Sequence, residues 1–153
     1  MMREKRTIYL AYGSNLNIAQ MMHRCPDAKP WGATILQGYK LAFWGNGGQA
    51  FATIVPAEDR EVPVALWSIT AKDEAALDRY EGWPHHYRKE VVKIPWGKRN
   101  VSAMVYIMNT GKVGFPSKWY FETIYDGYND FDIDPEPLFQ ALWDAQKAHL
   151  GWK

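Results

Sequence analysis

Cysteine is almost absent from this chain of 153 residues, in which Cys25 is the only one. A single thiol excludes a disulfide within the chain and a zinc cluster built from cysteines. It also favours a reducing compartment. We interpret Cys25 as a small buried residue on a short helix rather than as a nucleophile, because free cysteines are among the most buried residue types.

The sequence also lacks a long apolar segment and an excess of charge of either sign. No apolar run is long enough to cross a bilayer, and residues 1–7 are polar, unlike a signal peptide. The 18 basic and 17 acidic residues leave a net charge of +1, which gives no indication of a nucleic-acid or membrane partner. We therefore expect a soluble, cytoplasmic protein.

Aromatic side chains, in contrast, are abundant, with eight Trp, nine Tyr and six Phe. Such rings suit a hydrophobic core or the wall of a small-molecule pocket. The length suits a single domain over residues 1–153, and no repeat, linker or low-complexity stretch divides it.

The order of the predicted elements indicates an α+β fold with a mixed, mainly antiparallel sheet, curled or closed into a small β-barrel. Apolar runs predict strands, and apolar residues at helical spacing predict short inserted helices and a helical C-terminus. Strand pairing order stays undetermined. The predicted strands are residues 8–11, 33–43, 50–55, 62–69, 87–94 and 101–108, and the predicted helices cover residues 17–24, 71–81, a segment from 116 and residues 135–150.

The first candidate site is the turn that ends the opening strand, with the sequence Tyr12-Gly13-Ser14-Asn15-Leu16. Glycine adopts backbone angles closed to other residues, and Ser and Asn hydrogen-bond readily to nearby backbone. Successive small residues can therefore leave N–H groups pointing outward at an anion. An ordinary strand-to-helix turn explains the same pattern equally well, so this segment alone does not distinguish an anion-binding loop from an ordinary turn.

The second candidate is Glu81, in the last turn of a helix that Thr70 and Asp73 begin as a capping box and Gly82 ends. A helix C-terminus carries partial negative charge, and burial beside Tyr80 would also disfavour a carboxylate, so both effects raise its pKa. A base with a raised pKa suits proton transfer. The alternative is a solvated glutamate at a helix end.

Metal chemistry finds no support in the histidines. His85 and His86 are adjacent and would face opposite ways in a strand, and no HExxH-type spacing occurs around His23 or His149. Ser14 does not stand in a G-x-S-x-G elbow, so we interpret it as a ligand-holding or turn-stabilising residue. We expect neither metal nor cofactor.

The pairing of this turn with Glu81-Gly82 resembles the γ-glutamylcyclotransferase-like (AIG2-like) family. Further landmarks of that family follow in order, and the resemblance extends from residue 7 to about residue 125. They are residues 36–43, 52–54, 64–67, 77–78, 106–108 and 116–120.

The resemblance implies a small mixed barrel with the turn and the glutamate at one pocket, and release of 5-oxoproline from γ-glutamyl compounds without a cofactor. Glu81 is the implied general acid and base. The implied substrate-binding residues are Gly13, Ser14 and Asn15, with Tyr12 and Leu16 shaping the turn and Tyr87 and Tyr120 facing the pocket. A core position would explain the two last tyrosines equally well. The resemblance also suggests a homodimer.

Three functions stay open at this stage. The favoured one is a cyclotransferase, an amide-lyase type of enzyme acting on γ-glutamyl amino acids, γ-glutamylamines or related isopeptides. The second removes a γ-glutamyl protecting group in secondary metabolism. The third is a non-catalytic module that binds a small molecule or sugar on the same fold.

Overall fold

The strands and helices follow one another as the sequence patterns predict, with one short strand added. The computed structural model describes residues 5–151, so part of the polar segment 1–7 lies outside the described residues. Within that range the elements are β1 (Arg6–Ala11), a 3₁₀ turn (Ser14–Leu16), α1 (Ile18–Arg24), β2 (Lys29–Gly45), β3 (Phe51–Thr70), α2 (Ala71–Glu81), β4 (Tyr87–Trp96), β5 (Arg99–Met108), β6 (Lys112–Val113), α3 (Lys118–Asp130) and α4 (Glu136–His149).

The six strands form one sheet in the order β4-β5-β1-β3-β2-β6. All pairs are antiparallel except β1 with β5, which are parallel. The sheet curls, so that the hydroxyl of Thr34 in β2 donates to the carbonyl of Pro95 in β4 at 3.0 Å, and the rings of Trp31 and Trp96 lie 5.7 Å apart. The predicted α+β class with a mixed, mainly antiparallel curled sheet is confirmed, in the form of a half-barrel.

One prediction about the strands is wrong, because the predicted strands at residues 50–55 and 62–69 are parts of a single long strand, β3, which begins at Phe51. Its register with β2 shifts where Gln37 faces Glu61 and Tyr39 faces Pro56, so residues 57–60 lie opposite Gly38 alone. Asp59 in this bulge has a φ of 63°. The charged residues that predicted a break are accommodated as a bulge, which bends a strand without ending it.

The helix boundaries that position the site are confirmed. Asn17 caps α1 by accepting from the N–H of Gln20. Thr70 and Asp73 form the predicted capping box of α2, and Gly82 ends it with a φ of 68°, in the left-handed region that favours glycine. Glu81 therefore occupies the last helical position of α2.

Helix α3 packs directly on the 3₁₀ turn. A Cβ on Gly127 would lie 2.6 Å from the backbone nitrogen of Asn17 and 2.8 Å from the Cβ of Leu16. Only a glycine permits this approach, and Leu16 is fully buried beneath it. The contact fixes the end of β1 against the C-terminal third of the chain.

Cys25 is fully buried, as predicted, and its thiol donates to the carbonyl of Asp73 at 3.5 Å. Burial, with the nearby Asp73 carboxylate, raises the pKa of the thiol to about 12. A thiol that stays protonated is a poor nucleophile. Within residues 5–151, no helix is both long and apolar enough to cross a membrane.

Candidate active site

A cavity of about 530 Å³ opens between the 12–16 turn, the start of β3, the C-terminal end of α2 and the start of β4. This volume lies in the range of small-molecule sites. Seven of the eight residues that the sequence places at the site line it, and Leu16, buried in the core below, does not. The seven are Tyr12, Gly13, Ser14, Asn15, Glu81, Tyr87 and Tyr120.

The backbone of the turn leaves N–H groups available. The N–H of Leu16 donates to the carbonyl of Gly13, and that of Asn17 to the carbonyl of Ser14, both at 3.0 Å. The first N–H groups of such a helical turn have no partner within it. Among the described residues, none accepts from the N–H of Ser14 or Asn15, so the turn offers two backbone donors at the cavity.

Gly13 allows close packing at this side of the cavity. A Cβ there would lie 3.2 Å from the Cβ of Ala52 and 3.6 Å from the hydroxyl oxygen of Tyr120. The first distance is shorter than an ordinary carbon–carbon contact of about 3.5–4.0 Å. The absence of a side chain therefore lets β3 approach the turn.

The side chains of Ser14 and Asn15 form hydrogen bonds with residues around the turn. The Ser14 hydroxyl shares a hydrogen bond with the Tyr80 hydroxyl at 2.9 Å, and the Asn15 amide nitrogen donates to the Tyr9 hydroxyl at 3.0 Å. The Arg24 guanidinium donates to the Asn15 amide oxygen at 2.6 Å. These bonds hold the turn in place while its backbone faces the cavity.

Three buried tyrosines meet the backbone around the cavity. The Tyr12 hydroxyl donates to the carbonyl of Tyr106 at 2.6 Å, and that of Tyr87 to the carbonyl of Ala52 at 2.9 Å. The Tyr120 hydroxyl instead accepts from the N–H of Ala52 at 3.1 Å. No acceptor for the Tyr120 proton occurs among residues 5–151, so this hydroxyl can donate to a ligand.

Burial keeps these tyrosines neutral. Desolvation is the main cause that raises the pKa of Tyr12, Tyr87 and Tyr120, and the negative charge of Glu81 adds to it in each case. A neutral phenol is a hydrogen-bond donor rather than a base. The tyrosines can therefore bind and orient, but they do not take up a proton from a ligand.

Glu81 supplies the only carboxylate among the described residues that line the cavity. It is partly buried, and desolvation raises its pKa to about 7, while the positive charge of Arg24 acts in the opposite direction. The sequence predicted the raised pKa from both the helix terminus and burial, and the structure assigns it to burial. Such a carboxyl group can accept and donate a proton near neutral pH.

Sequence reasoning missed several parts of the site. Arg79, His85 and His86 are exposed at the cavity wall, and Trp44 and Phe51 bring aromatic rings to it from β2 and β3. The two histidines follow Glu81 by four and five residues, so their place near Glu81 can be inferred from the sequence. The two aromatic residues stand near the end of β2 and at the start of β3, far in sequence from both the turn and Glu81, so no local pattern marks them. Residues 5–151 contain no group of three His, Cys, Asp or Glu side chains placed to hold a metal.

This chain is a small half-barrel protein in which one carboxylate, with its pKa raised to about 7, lines the same pocket as the 12–16 turn. Residues 9–122 match the family described as "Gamma-glutamyl cyclotransferase, AIG2-like". The chain belongs to this family.

Solved structures agree with that assignment. A gamma-glutamyl cyclotransferase has a TM-score of 0.81 and 25% identity, with 90% of this chain and 86% of that chain covered. The structure of an uncharacterized human protein has a TM-score of 0.81 and 26% identity, with 90% of this chain and 87% of that chain covered. YkqA from Bacillus subtilis has a TM-score of 0.76 and 20% identity, with 94% of this chain and 55% of that chain covered. At this identity the similarity shows the fold alone. No relative was found among curated protein sequences.

Proposed function

We propose that this protein is a cofactor-independent γ-glutamylcyclotransferase, which converts a γ-glutamyl compound into 5-oxoproline and an amine or amino acid. The observation that carries the proposal is the placement of Glu81, with its pKa raised to about 7, on the same cavity as the unpartnered N–H groups of Ser14 and Asn15. The family supports the same reaction class.

In the proposed reaction the α-amino group of the substrate, in its free-amine form, attacks the γ-carbonyl carbon of the same molecule. Glu81 accepts a proton from the attacking nitrogen as the new carbon–nitrogen bond closes the five-membered ring. The same carboxyl group then donates that proton to the leaving nitrogen as the original amide bond breaks. The proton balance closes on one side chain, so no external acid, base or cofactor is required.

The remaining groups would bind and orient the substrate. Backbone N–H groups of Ser14 and Asn15 are suited to an oxyanion or to the α-carboxylate, because both carry negative charge. The Tyr120 hydroxyl, whose proton has no acceptor among the described residues, is a further donor for the same groups. Since nucleophile and electrophile belong to one molecule, holding the chain in its ring-closing conformation lowers the barrier substantially.

The proposal covers several kinds of leaving group. γ-Glutamyl amino acids, γ-glutamylamines and isopeptides all carry the reacting unit, and so does a γ-glutamyl protecting group on an intermediate of secondary metabolism. A panel containing each type, assayed for 5-oxoproline, separates these substrates.

The test of catalysis compares wild type with Glu81→Gln on this panel. We expect the substitution to lower kcat by roughly 10²–10⁴-fold, the usual contribution of general acid–base catalysis. Glu58→Gln is the matched control, because Glu58 is exposed on the β3 bulge and away from the cavity. Equal, negligible release by wild type and Glu81→Gln from every substrate would favour the alternative, a non-catalytic binding module.

A further inference from the structure

Arg24, the last residue of α1, lies behind the cavity wall and is not among the residues that line it. One guanidinium nitrogen donates to the Asn15 amide oxygen at 2.6 Å, and another donates to the Gln20 amide oxygen at 2.9 Å. The guanidinium carbon stands 3.5 Å from the centroid of the Tyr80 ring, which is a close cation–π contact.

This half-buried arginine forms no ion pair with any carboxylate in the described part of the chain. A partly desolvated positive charge without a counter-ion is costly, and most such arginines are paired. Its partners here are two neutral amides and an aromatic ring. The arrangement retains a positive charge whose effect reaches the cavity.

The contacts of Arg24 join the two halves of the candidate site. Asn15 belongs to the 12–16 turn, and its amide nitrogen also donates to Tyr9. Tyr80 immediately precedes Glu81, and its hydroxyl pairs with Ser14. One guanidinium group therefore touches both the turn and the end of the helix that presents the carboxylate.

The charge of Arg24 also acts on Glu81, whose pKa it lowers against the larger effect of burial. The other groups around this carboxylate do not replace that charge. Tyr9, Tyr12, Tyr87 and Tyr120 are neutral phenols with raised pKa values. The remaining ionisable groups of the cavity wall are Arg79, His85 and His86, all exposed, together with Tyr80 and Tyr106.

We propose that Arg24 is a positioning residue of the active site, which locks the 12–16 turn to the end of α2 through Asn15 and Tyr80 and places a positive charge beside the residue that precedes Glu81. This inference rests on the proposed function of Glu81 as the base. Arg24 itself touches neither substrate nor reacting atoms.

A purely structural arginine would act differently. A cation in the last turn of a helix stabilises the helix through its dipole, and lysine or arginine serves that purpose equally. The bond to Asn15 combined with the stacking on Tyr80 requires the planar guanidinium, whereas the effect on Glu81 requires only the charge. Lysine and glutamine substitutions therefore separate the two roles.

The test follows the Glu81 carboxyl carbon by NMR in protein labelled with ¹³C-glutamate, the signal being assigned by its loss in Glu81→Gln. We expect Arg24→Gln to raise the titration midpoint of Glu81 by about half a pH unit or more, because removing a nearby positive charge favours the neutral carboxyl group. Arg24→Lys should keep the midpoint close to that of wild type. Arg99→Gln, an exposed arginine at the far hairpin, is the matched control and should not move it.

Activity is measured on the same variants with a γ-glutamyl substrate that wild type cleaves. Arg24→Lys should lose at least about tenfold in kcat/KM despite its unchanged midpoint, because the turn loses the planar guanidinium that bonds to Asn15 while it stacks on Tyr80. An unchanged Glu81 midpoint in folded Arg24→Gln, or wild-type kcat/KM in Arg24→Lys, would overturn the proposal. If wild type cleaves nothing while the midpoint moves as expected, the proposed function fails and the electrostatic part of this inference stands.

Discussion

Replacing Glu81 with glutamine should stabilise the protein, and the gain should grow with pH. Glutamine has nearly the same shape as the glutamic acid side chain but never ionises. Its effect on the free energy of unfolding therefore isolates the cost of burying a carboxylate at the end of α2. This prediction needs no substrate and tests the electrostatics of the site directly.

The direction follows from the two pKa values of Glu81. Its pKa rises from an ordinary 4.5 to about 7 in the folded protein because of burial. Below about pH 4.5 both folded and unfolded chains hold the proton, so ionisation has no effect on stability. Between the two values the unfolded chain releases its proton and the folded one keeps it, so wild type loses stability as pH rises and levels off above about pH 7.

The magnitude follows from the same interval. Each pH unit corresponds to about 1.4 kcal/mol, which sets an upper value of roughly 3 kcal/mol. Glu81 borders a cavity that is open to water, and solvent screening reduces that figure. We expect Glu81→Gln to gain about 2 kcal/mol relative to wild type at pH 8 compared with pH 5.

Urea unfolding of wild type and Glu81→Gln, measured at intervals between about pH 5 and pH 8.5, gives this difference directly. Glu58→Gln provides the control, since an exposed glutamate should give a flat difference over the same range. Parallel stability curves for Glu81→Gln and wild type would refute the argument, because they would mean that Glu81 ionises equally easily in both states.

Three further predictions concern the site. The kcat/KM of wild type should fall as pH drops through about 7, the pKa of Glu81, because the base must be ionised to accept a proton; a pH–rate profile flat from pH 5.5 to 8 would contradict this. Gly13→Ala should raise KM by roughly tenfold, since its Cβ would lie 3.2 Å from that of Ala52 and crowd the wall of the cavity; steady-state kinetics check this, and thermal melts show whether the variant is still folded. Gly82→Ala should destabilise the fold by more than Gly97→Ala in urea unfolding; both glycines have positive φ, at 68° and 61°, but only at Gly82 would a Cβ meet another residue, His86 at 2.7 Å.

Local patterns were enough to predict the elements that carry the site. The capping box at Thr70 and Asp73, the glycine at position 82 and the polar stop after β1 are each written in a few consecutive residues. Such local preferences depend on neighbouring residues in the sequence, and here they agree with the final fold. They place Glu81 at a helix end and the 12–16 turn at a strand end, and the structure has both there.

The relation between distant segments could not be predicted in the same way. The bulge that keeps β3 continuous depends on its pairing with β2, so a charged stretch around Asp59 looked like a break. Tyr87 and Tyr120 reach the site by bonding to the two polar groups of Ala52, one to its carbonyl and one to its N–H. Neither bond leaves a trace in the spacing of either tyrosine.

Leu16 illustrates the difference between a motif and a site. It stands in the same short motif as Gly13, Ser14 and Asn15, but its side chain is fully buried under Gly127 and does not reach the cavity. Its packing fixes the turn from below, which is a requirement of folding rather than of binding. A sequence motif contains residues needed for folding together with residues needed for binding, and the structure shows which residue serves which purpose.

The balance of charge around the cavity suits a single group that carries a proton back and forth. Burial and the negative charge of Glu81 both raise the pKa of the surrounding tyrosines, so these phenols stay neutral when Glu81 is ionised. Arg24 opposes the burial that would otherwise keep Glu81 protonated. On the proposed mechanism, a proton taken from the attacking amine then resides on Glu81 rather than on a phenol, and the same carboxyl group returns it to the leaving nitrogen. A second acid at this position is therefore unnecessary, and the pocket wall can use its remaining groups to hold the substrate.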